Sequence, residues 1–589
     1  MKQKSSELSL LTKLFFRLLP YHILLIAINA VNGIADSLYA SNAIGKSAMS
    51  AIGLFAPLNH FLYAASMLFV SGSQILYGRY LSNNRQKIHG LFTVTLVLSG
   101  GLGVLMSLLM GLGVMTGATR LMINTEPELA MFNQYLLGQM VGIPALILGQ
   151  QLFSFLSLEN QKTRTMVASI LCLISNVVMD HVCIVFLKMG TYGLGLSSAI
   201  SVWFFFGVQA IYYLRGKSEW KFSLRNCAWE DSPSLFSLGY TGALSRFLEM
   251  FRCLIVNGLI LMYVGNAGLS SFAASNSIMG VMWSVPFGMM AVSRIFFSIS
   301  VGEEDRQSII NVFRIVLTRG MLIIAGIVAF LFVMAEPLTR LFYRDPSDPV
   351  YTMTVMAFRI LPFCMFFSLL SLHFAGYSQV AEKKVMSFVL PVIDGMVGVV
   401  LFSFILIPSL KMNGLYFANI LNGVLCTVVI LTGSIIHRKR FPRTLEDLLD
   451  IPDRIGVGED ERIDISVTST EEVVKISSQV MDFCLRKGIE RRRAYFSGLC
   501  LEEIAGNVVT HGFVEDNEEH SVDIRVIHKD GILTLRIRDN CKSFDPTSYH
   551  KALETDRSGK NVGIQLAFAA AREISYQNLL GMNVLTIRI

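Results

Sequence analysis

Five polar side chains set in long apolar runs, and a second group near the C-terminus, are the places where this sequence could do chemistry. In "ISNVVMDHVCIVF" (174–186) Asn176 stands one helical turn before Asp180 on the same helix face, and Asp36 falls near the end of an earlier apolar run. Ionisable groups in such runs are costly, so each is a candidate functional residue. Two carboxylates and an amide converging between helices would bind Na+ or share a proton. Asp36 also fits a helix-end residue at an interface. Further along, Glu249 and Asp394 each sit in an apolar run. Arg246 and Arg252, three residues to either side of Glu249, make a structural ion pair the competing reading. Asp394 is open between ion coupling and lining a cavity.

The second group begins with "LEEIAGNVVTH" (501–511), where Glu503, Asn507 and His511 stand at i, i+4 and i+8. Over a continuous helix from 490 to 511 they share a face. A carboxylate can polarise a hydroxyl or water, an amide oxygen can ligate Mg2+, and a histidine can approach phosphate. The competing reading is an exposed polar stripe on an amphipathic helix. Downstream come "RDNCKSFDP", with Asp539 at the end of an expected strand, and "SGKNVGIQLAF", a glycine-bearing turn into a helix whose N–H groups could meet phosphate oxygens. Gly45-Lys46-Ser47 and Gly559-Lys560-Asn561 are not P-loops, because the required earlier glycine is Ala40 in one and Glu554 in the other.

The elements that must hold these residues follow from composition. The chain is 53% hydrophobic and 16% charged over 589 residues, with mean hydropathy +0.53, beyond the soluble range. Long apolar runs continue to about residue 436, and charges recur every few residues after it. Runs of about 20 residues cross the bilayer as helices. Twelve such spans are expected, at 13–36, 48–77, 91–117, 131–156, 166–187, 193–214, 234–263, 268–299, 310–334, 351–376, 386–409 and 414–436. The polar N-terminal segment lacks a signal-peptide cleavage pattern, so the first helix is expected to stay. Lys and Arg gather in alternate connections, such as Arg79, Arg85, Lys162 and Lys383, which puts both termini in the cytoplasm of a multi-pass cell-membrane protein. The net charge of +7 then reflects basic loops beside anionic lipid and calls for no nucleic acid partner. The nine cysteines lack Cys-x-x-Cys spacing and indicate neither disulfides nor zinc.

"FLKMGTYGLGLSSAI" (186–200) and "SLKMNGLYFANI" (409–420) share Leu-Lys-Met, and each follows a span preceded by a short basic loop, "ENQKTR" or "AEKK". Six spans therefore repeat as six more, with halves at about 10–225 and 226–436, the plan of a transporter with its site between two bundles. Residues 437–460 form a basic linker. The remainder, 461–589, reads as strand, two helices, two strands, a helix at 561–573 and two strands, an α+β sandwich large enough for its own core.

The membrane half resembles the multidrug and toxic compound extrusion (MATE) family: "ADSLYASNAIGKSAMSAIGLFAPL" (35–58) its first hairpin, "ISNVVMDHVCIVF" its fifth helix and "LGYTGALSRFLEMF" (238–251) its seventh. The resemblance implies export of organic, often cationic, drug-like compounds by antiport against H+ or Na+. It matches Asp36, Asn176, Asp180 and Ser198 to a first-half cation site, and Glu249 to an acidic position of the seventh helix. Span 10 carries Arg359 but no acidic residue, so coupling is expected in the first half.

The order of polar helix, acidic turn and glycine-bearing helix resembles the GHKL ATPase superfamily (Bergerat fold). "EISYQNLLGMNVLTIRI" (573–589) resembles its anti-sigma-factor serine kinase branch. This implies ATP and Mg2+ as cofactors, with Asp539 accepting from the adenine amino group, Asn507 holding Mg2+, Glu503 as catalytic base and Gly563 near the phosphates. It also implies an anti-anti-sigma-like protein partner. The family pattern Asp-x-Gly-x-Gly has Cys541 and Ser543 in place of its glycines. A positive φ there would cost a side chain about 1 kcal/mol. The leading expectation is a cation-coupled exporter regulated by an ATP-binding domain with ATPase or protein-serine kinase activity. A membrane sensor with kinase-like output and a flippase of lipid-linked substrates are the alternatives.

Overall fold

The computed structural model describes residues 2–83, 87–123, 125–159, 161–216, 218, 220–302, 305–452, 455–513, 520–529, 531–541, 571–579 and 582–589. By its contacts the chain divides into two compact units. One is Tyr21–Arg294 with Val316–Asp450, and the other is Met1–Pro20 with Ile295–Ile315 and Ile451–Ile589.

Seventeen helices run through the apolar part of the chain: α1 (Lys2–Tyr39), α2 (Lys46–Asn83), α3 (Lys87–Met115), α4 (Glu128–Met140), α5 (Ile143–Leu158), α6 (Lys162–Asp180), α7 (Gly190–Leu214), α8 (Ser232–Tyr263), α9 (Asn266–Gly302), α10 (Arg306–Ile315), α11 (Met321–Val333), α12 (Ala335–Arg340), α13 (Pro349–Ile360), α14 (Cys364–Val380), α15 (Lys384–Val392), α16 (Gly398–Leu410) and α17 (Met412–Arg438). Among the described residues ten helices are long and apolar enough to cross a bilayer, and α4 with α5, bent by 49°, makes up to eleven. The remaining expected span, 234–263, is the helix α8. Its Arg246, Glu249 and Arg252 put three charged residues within two turns of that helix.

The α4–α5 bend has a local cause. Pro144 has no N–H for the Met140 carbonyl, and Ser107 Oγ donates to that oxygen instead at 2.7 Å, while Trp203 Nε1 donates to the Val141 carbonyl at 3.1 Å. In the two Leu-Lys-Met turns the lysines, Lys188 and Lys411, both have positive φ, 51° and 55°, a region non-glycine residues seldom occupy.

A short helix α18 (Leu445–Leu449) follows α17, and in the second unit α19 (Thr470–Arg486) and α20 (Arg491–Asn507) pack on a five-stranded antiparallel sheet. Its strands are β1 (Arg462–Val467), β2 (Val522–Lys529), β3 (Ile532–Asp539), β4 (Glu573–Leu579) and β5 (Met582–Arg588), in the order β1-β2-β3-β5-β4. Alternation sends Val522, Ile524, Val526, Leu535 and Ile537 into the core beneath the helices. Arg525, Arg536 and Arg538 take the opposite face and are buried there. The expected helix at 561–573 lies outside the described residues for most of its length.

Helices α2 and α8 cross with their backbones in contact. A Cβ on Gly239 would stand 1.7 Å from the Leu68 carbonyl oxygen, and one on Gly72 2.3 Å from that of Leu235. Gly239→Val is expected to lower the thermal midpoint and the monodisperse yield of purified protein, by an overpacking cost of about 1–3 kcal/mol or more. Gly258→Ala, with nothing within 4 Å of the new Cβ, is the control expected to leave both unchanged.

Candidate functional site

The membrane site is built from α1, α6 and α7. Asp36 lies in the last turn of α1, just before a π turn at Ala40–Ile44, and Asp180 ends α6, just before a π turn at His181–Phe186. Such wider turns are common at functional positions because they re-aim the side chains beside them. Asp180, Asn176 and Ser197 are buried. Ser198 Oγ donates to Asp36 Oδ2 at 3.2 Å, and Ser197 Oγ donates to Asp180 Oδ1. The Asp36 carboxyl also neighbours Asp180 and Asn176. Asp36 Oδ1, Asp180 Oδ2 and Asn176 Oδ1 are all buried, with no hydrogen-bond donor among the described residues. The structure therefore brings together Asp36, Asn176, Asp180 and Ser198 and adds Ser197, which sequence reasoning missed although it neighbours Ser198. An oxygen-only cluster short of donors is suited to an alkali cation or a proton.

Glu249 sits elsewhere, paired with Arg246 Nη1 at 2.7 Å and His60 Nδ1 at 3.2 Å. The ion pair that competed with coupling at this residue is formed, and His60, in an apolar run, gave no sequence signal. Asp394, in a π turn at Ile393–Val397, accepts from Ser371 Oγ at 3.1 Å and Asn422 Nδ2 at 2.8 Å. Arg359 pairs with Glu336 at 3.0 Å.

In the second unit Glu503 and Asn507 lie one turn apart on α20 and are half-buried. The α-helix stops at Asn507 and a π turn covers Val508–Gly512, so the expected single face through His511 is broken and His511 is exposed. Asp539 closes β3 and is buried. The register sets it across from Asn583 on β5. Its Oδ1 accepts from Asn583 Nδ2 at 2.7 Å and from the Cys541 N–H at 3.0 Å. Asn583 also donates to the Cys541 carbonyl at 3.2 Å and accepts from the Tyr576 hydroxyl at 2.6 Å. Both N–H donors recorded on Asp539 thus fall on one oxygen. Cys541 is not among the residues with positive φ, so the strain expected of a side chain there does not arise. Gly563 and Ser543 lie outside the described residues.

This architecture is that of a two-repeat helical membrane transporter carrying a soluble α+β domain. Residues 23–182 and 243–404 match the MatE family model, one segment in each half, and residues 466–589 match the histidine kinase-like ATPase domain. The chain belongs to the MatE family and carries a C-terminal kinase-like ATPase domain, a class that binds ATP with Mg2+. Comparison with curated proteins gives no match. Among solved structures, an inward-facing multidrug resistance MATE family transporter of the MOP superfamily is similar over 68% of this chain and 92% of its own, at 18% identity and TM-score 0.63. An outward-facing multidrug resistance MATE family transporter of the MOP superfamily is similar over 71% of this chain and 94% of its own, at 19% identity and TM-score 0.58. A MOP superfamily transporter from Pyrococcus furiosus, described by the reverse polarity of its binding pocket, covers 71% and 94% at 19% identity and TM-score 0.59. At these identities the likeness carries the fold alone.

Burial raises the Asp539 carboxyl above its ordinary value of 3.8, against the lowering effect of the Asn583 and Cys541 N–H groups. A carboxylate that accepts from a nucleobase must be deprotonated. Mg-ATP binding to the full chain is therefore expected to weaken as pH falls, with a midpoint above that of an exposed aspartate. Asn583→Ala removes a donor that favours the charged form and should move the midpoint higher. Titration with a fluorescent ATP analogue from neutral to acidic pH checks both, and a profile unchanged by the substitution counts against this role for Asp539.

Proposed function

We propose that the membrane half is a cation-coupled antiporter that exports organic, cationic or drug-like compounds, and that the C-terminal domain regulates it. The observation that carries the reading is the group of buried, donor-free oxygens of Asp36, Asn176 and Asp180. A buried oxygen cluster of this kind is stable only with a proton or a small cation in it, so gradients of H+ or Na+ can drive the protein through its occupancy. Ser198 belongs to the same site, and Glu249 is a second group whose charge partner, Arg246, must be displaced before it can couple. The twelve-span plan counts α8 as the seventh span, with both termini cytoplasmic in the cell membrane. The halves meet near residue 225, a linker spans 437–460 and the regulatory domain spans 461–589.

In that domain, read as a Bergerat fold, the bound group would be Mg-ATP. The described residues fit it: the oriented Asp539 carboxylate is an acceptor for an amino group, and the Asn507 amide stands where α20 ends, open to a metal. Mg2+ would supply charge neutralisation at the phosphates. Glu503, one turn from Asn507, would hold a proton-accepting carboxylate over the reacting end, and Gly563 would approach the phosphates. The partner of such a domain would be a protein with a target serine, of the anti-anti-sigma kind.

The test is ethidium transport by the full chain in vesicles under imposed H+ or Na+ gradients, with and without Mg-ATP on the side of the C-terminal domain. Gradient-driven transport should fall to the protein-free background in Asp36→Asn and Asp180→Asn, and Mg-ATP should change its rate in the parent. Transport indifferent to both substitutions sinks the antiporter reading. Nucleotide response without any transport points instead to a membrane sensor.

A further inference from the structure

Asp305 lies between α9 and α10 and is wholly buried, outside either membrane span. Its carboxylate faces two guanidinium groups on the sheet face away from the helices: Arg525 on β2, whose Nη1 lies 3.1 Å from Oδ2, and Arg536 on β3, whose Nη1 lies 3.3 Å from the same oxygen. Arg525 is held in turn by Asp464 of β1 at 3.0 Å. Asp305 also ties the two helices it joins. Its N–H donates to the Ser300 carbonyl at 2.7 Å near the end of α9. Its Oδ1 accepts from the Ser308 N–H at 3.0 Å and its Oδ2 from Ser308 Oγ at 2.7 Å, so it caps α10. The next residue, Arg306, donates to the carbonyls of Ile451 at 3.3 Å, Pro452 at 3.5 Å and Ile455 at 3.1 Å, where the chain enters the C-terminal domain.

A carboxylate buried between two arginines cannot leave them without stranding uncompensated charge in a dry site. The ends of α9 and α10 are therefore obliged to move with β2 and β3. Strand β3 is also the one that ends in Asp539, three residues beyond Arg536 and on the opposite face of the sheet. From this geometry we infer that the Asp305–Arg525–Arg536 cluster is a coupling joint: nucleotide bound at the Asp539 end of β3 shifts the strand, and the shift reaches the α9–α10 connection, and through the continuous helices the transporter, by way of this ion pair. The inference rests on residues 461–589 binding nucleotide and names how that binding is communicated.

The experiment uses the full chain in lipid nanodiscs, a fluorescent ATP analogue with Mg2+ to register binding, and hydrogen exchange of peptides covering 295–315. In the parent, bound nucleotide should change exchange in that segment by about fivefold or more, the low end of ordinary coupling between sites. Asp305→Asn should abolish the change while the analogue still binds. Asp305→Leu combined with Arg525→Met and Arg536→Leu removes all three charges and fills the space with apolar groups, a replacement buried ion clusters tolerate. It should likewise bind the analogue and lose the change, so the answer does not depend on the single variant folding. Bound nucleotide without effect on 295–315 in the parent, or an effect that persists in the triple variant, overturns the joint alone. No binding of the analogue to the parent overturns both the joint and the nucleotide reading beneath it.

Discussion

Two neighbouring carboxylates inside a bundle of apolar helices, with acceptor oxygens that no donor among the described residues meets, place a demand that the rest of the membrane half answers. Asp36 and Asp180 cannot both remain charged side by side in a medium of low dielectric unless a proton or a cation stands between them. Helices α1 and α6 carry them to one place, and α7 brings Ser197 and Ser198 against them. The π turns that follow each acid leave the backbone wider where the side chains must adapt. On the proposed reading, a change of occupant would alter the electrostatic balance among three helices at once, the kind of local change that rigid-body motion of two bundles can amplify.

The C-terminal domain meets a related constraint with a different solution. Its sheet has one apolar face, covered by α19 and α20, and one face with three buried arginines. Burying guanidinium groups is costly unless carboxylates accompany them. Asp464 comes from the sheet itself, but Asp305 comes from the connection between two transporter helices. Nearby carboxylates elsewhere show the same pairing: Asp450 holds Lys383 at 3.1 Å and Arg438 at 3.2 Å, just after the last membrane helix. The two arginines beside Asp305 hold its carboxyl well below the usual range despite full burial. Its stabilising contribution is thus complete above the ordinary aspartate value and is lost only as pH falls through that lowered value.

Much of this was legible in the sequence, and the reasons are local. All five strands were expected close to where they lie, and the one ending at Asp539 shows why: its apolar and charged residues alternate, a pattern that depends on little besides which face is buried. The Leu-Lys-Met repeat marked a turn that in both halves carries a lysine with positive φ. Asn176 and Asp180 could be paired from helical spacing alone. What escaped was set by register and by distant contacts. Asn583 meets Asp539 because β3 and β5 are neighbours in that register, although 44 residues separate them in the chain. His60 and Glu249 meet across two helices. The i, i+4, i+8 row through His511 failed because α20 gives way to a π turn, which spacing rules do not anticipate. Asp305 carried no motif at all; its importance comes from arginines that lie 220 and 231 residues away.

Infrared spectroscopy of the carboxyl stretch in the lipid-embedded chain tests whether the Asp36–Asp180 cluster holds an exchangeable proton or cation. The account predicts a protonated-carboxyl band that disappears as pH rises or Na+ is added and that is missing from Asp180→Asn. A carboxyl region that responds to neither pH nor Na+, or a response unchanged in that variant, would contradict it.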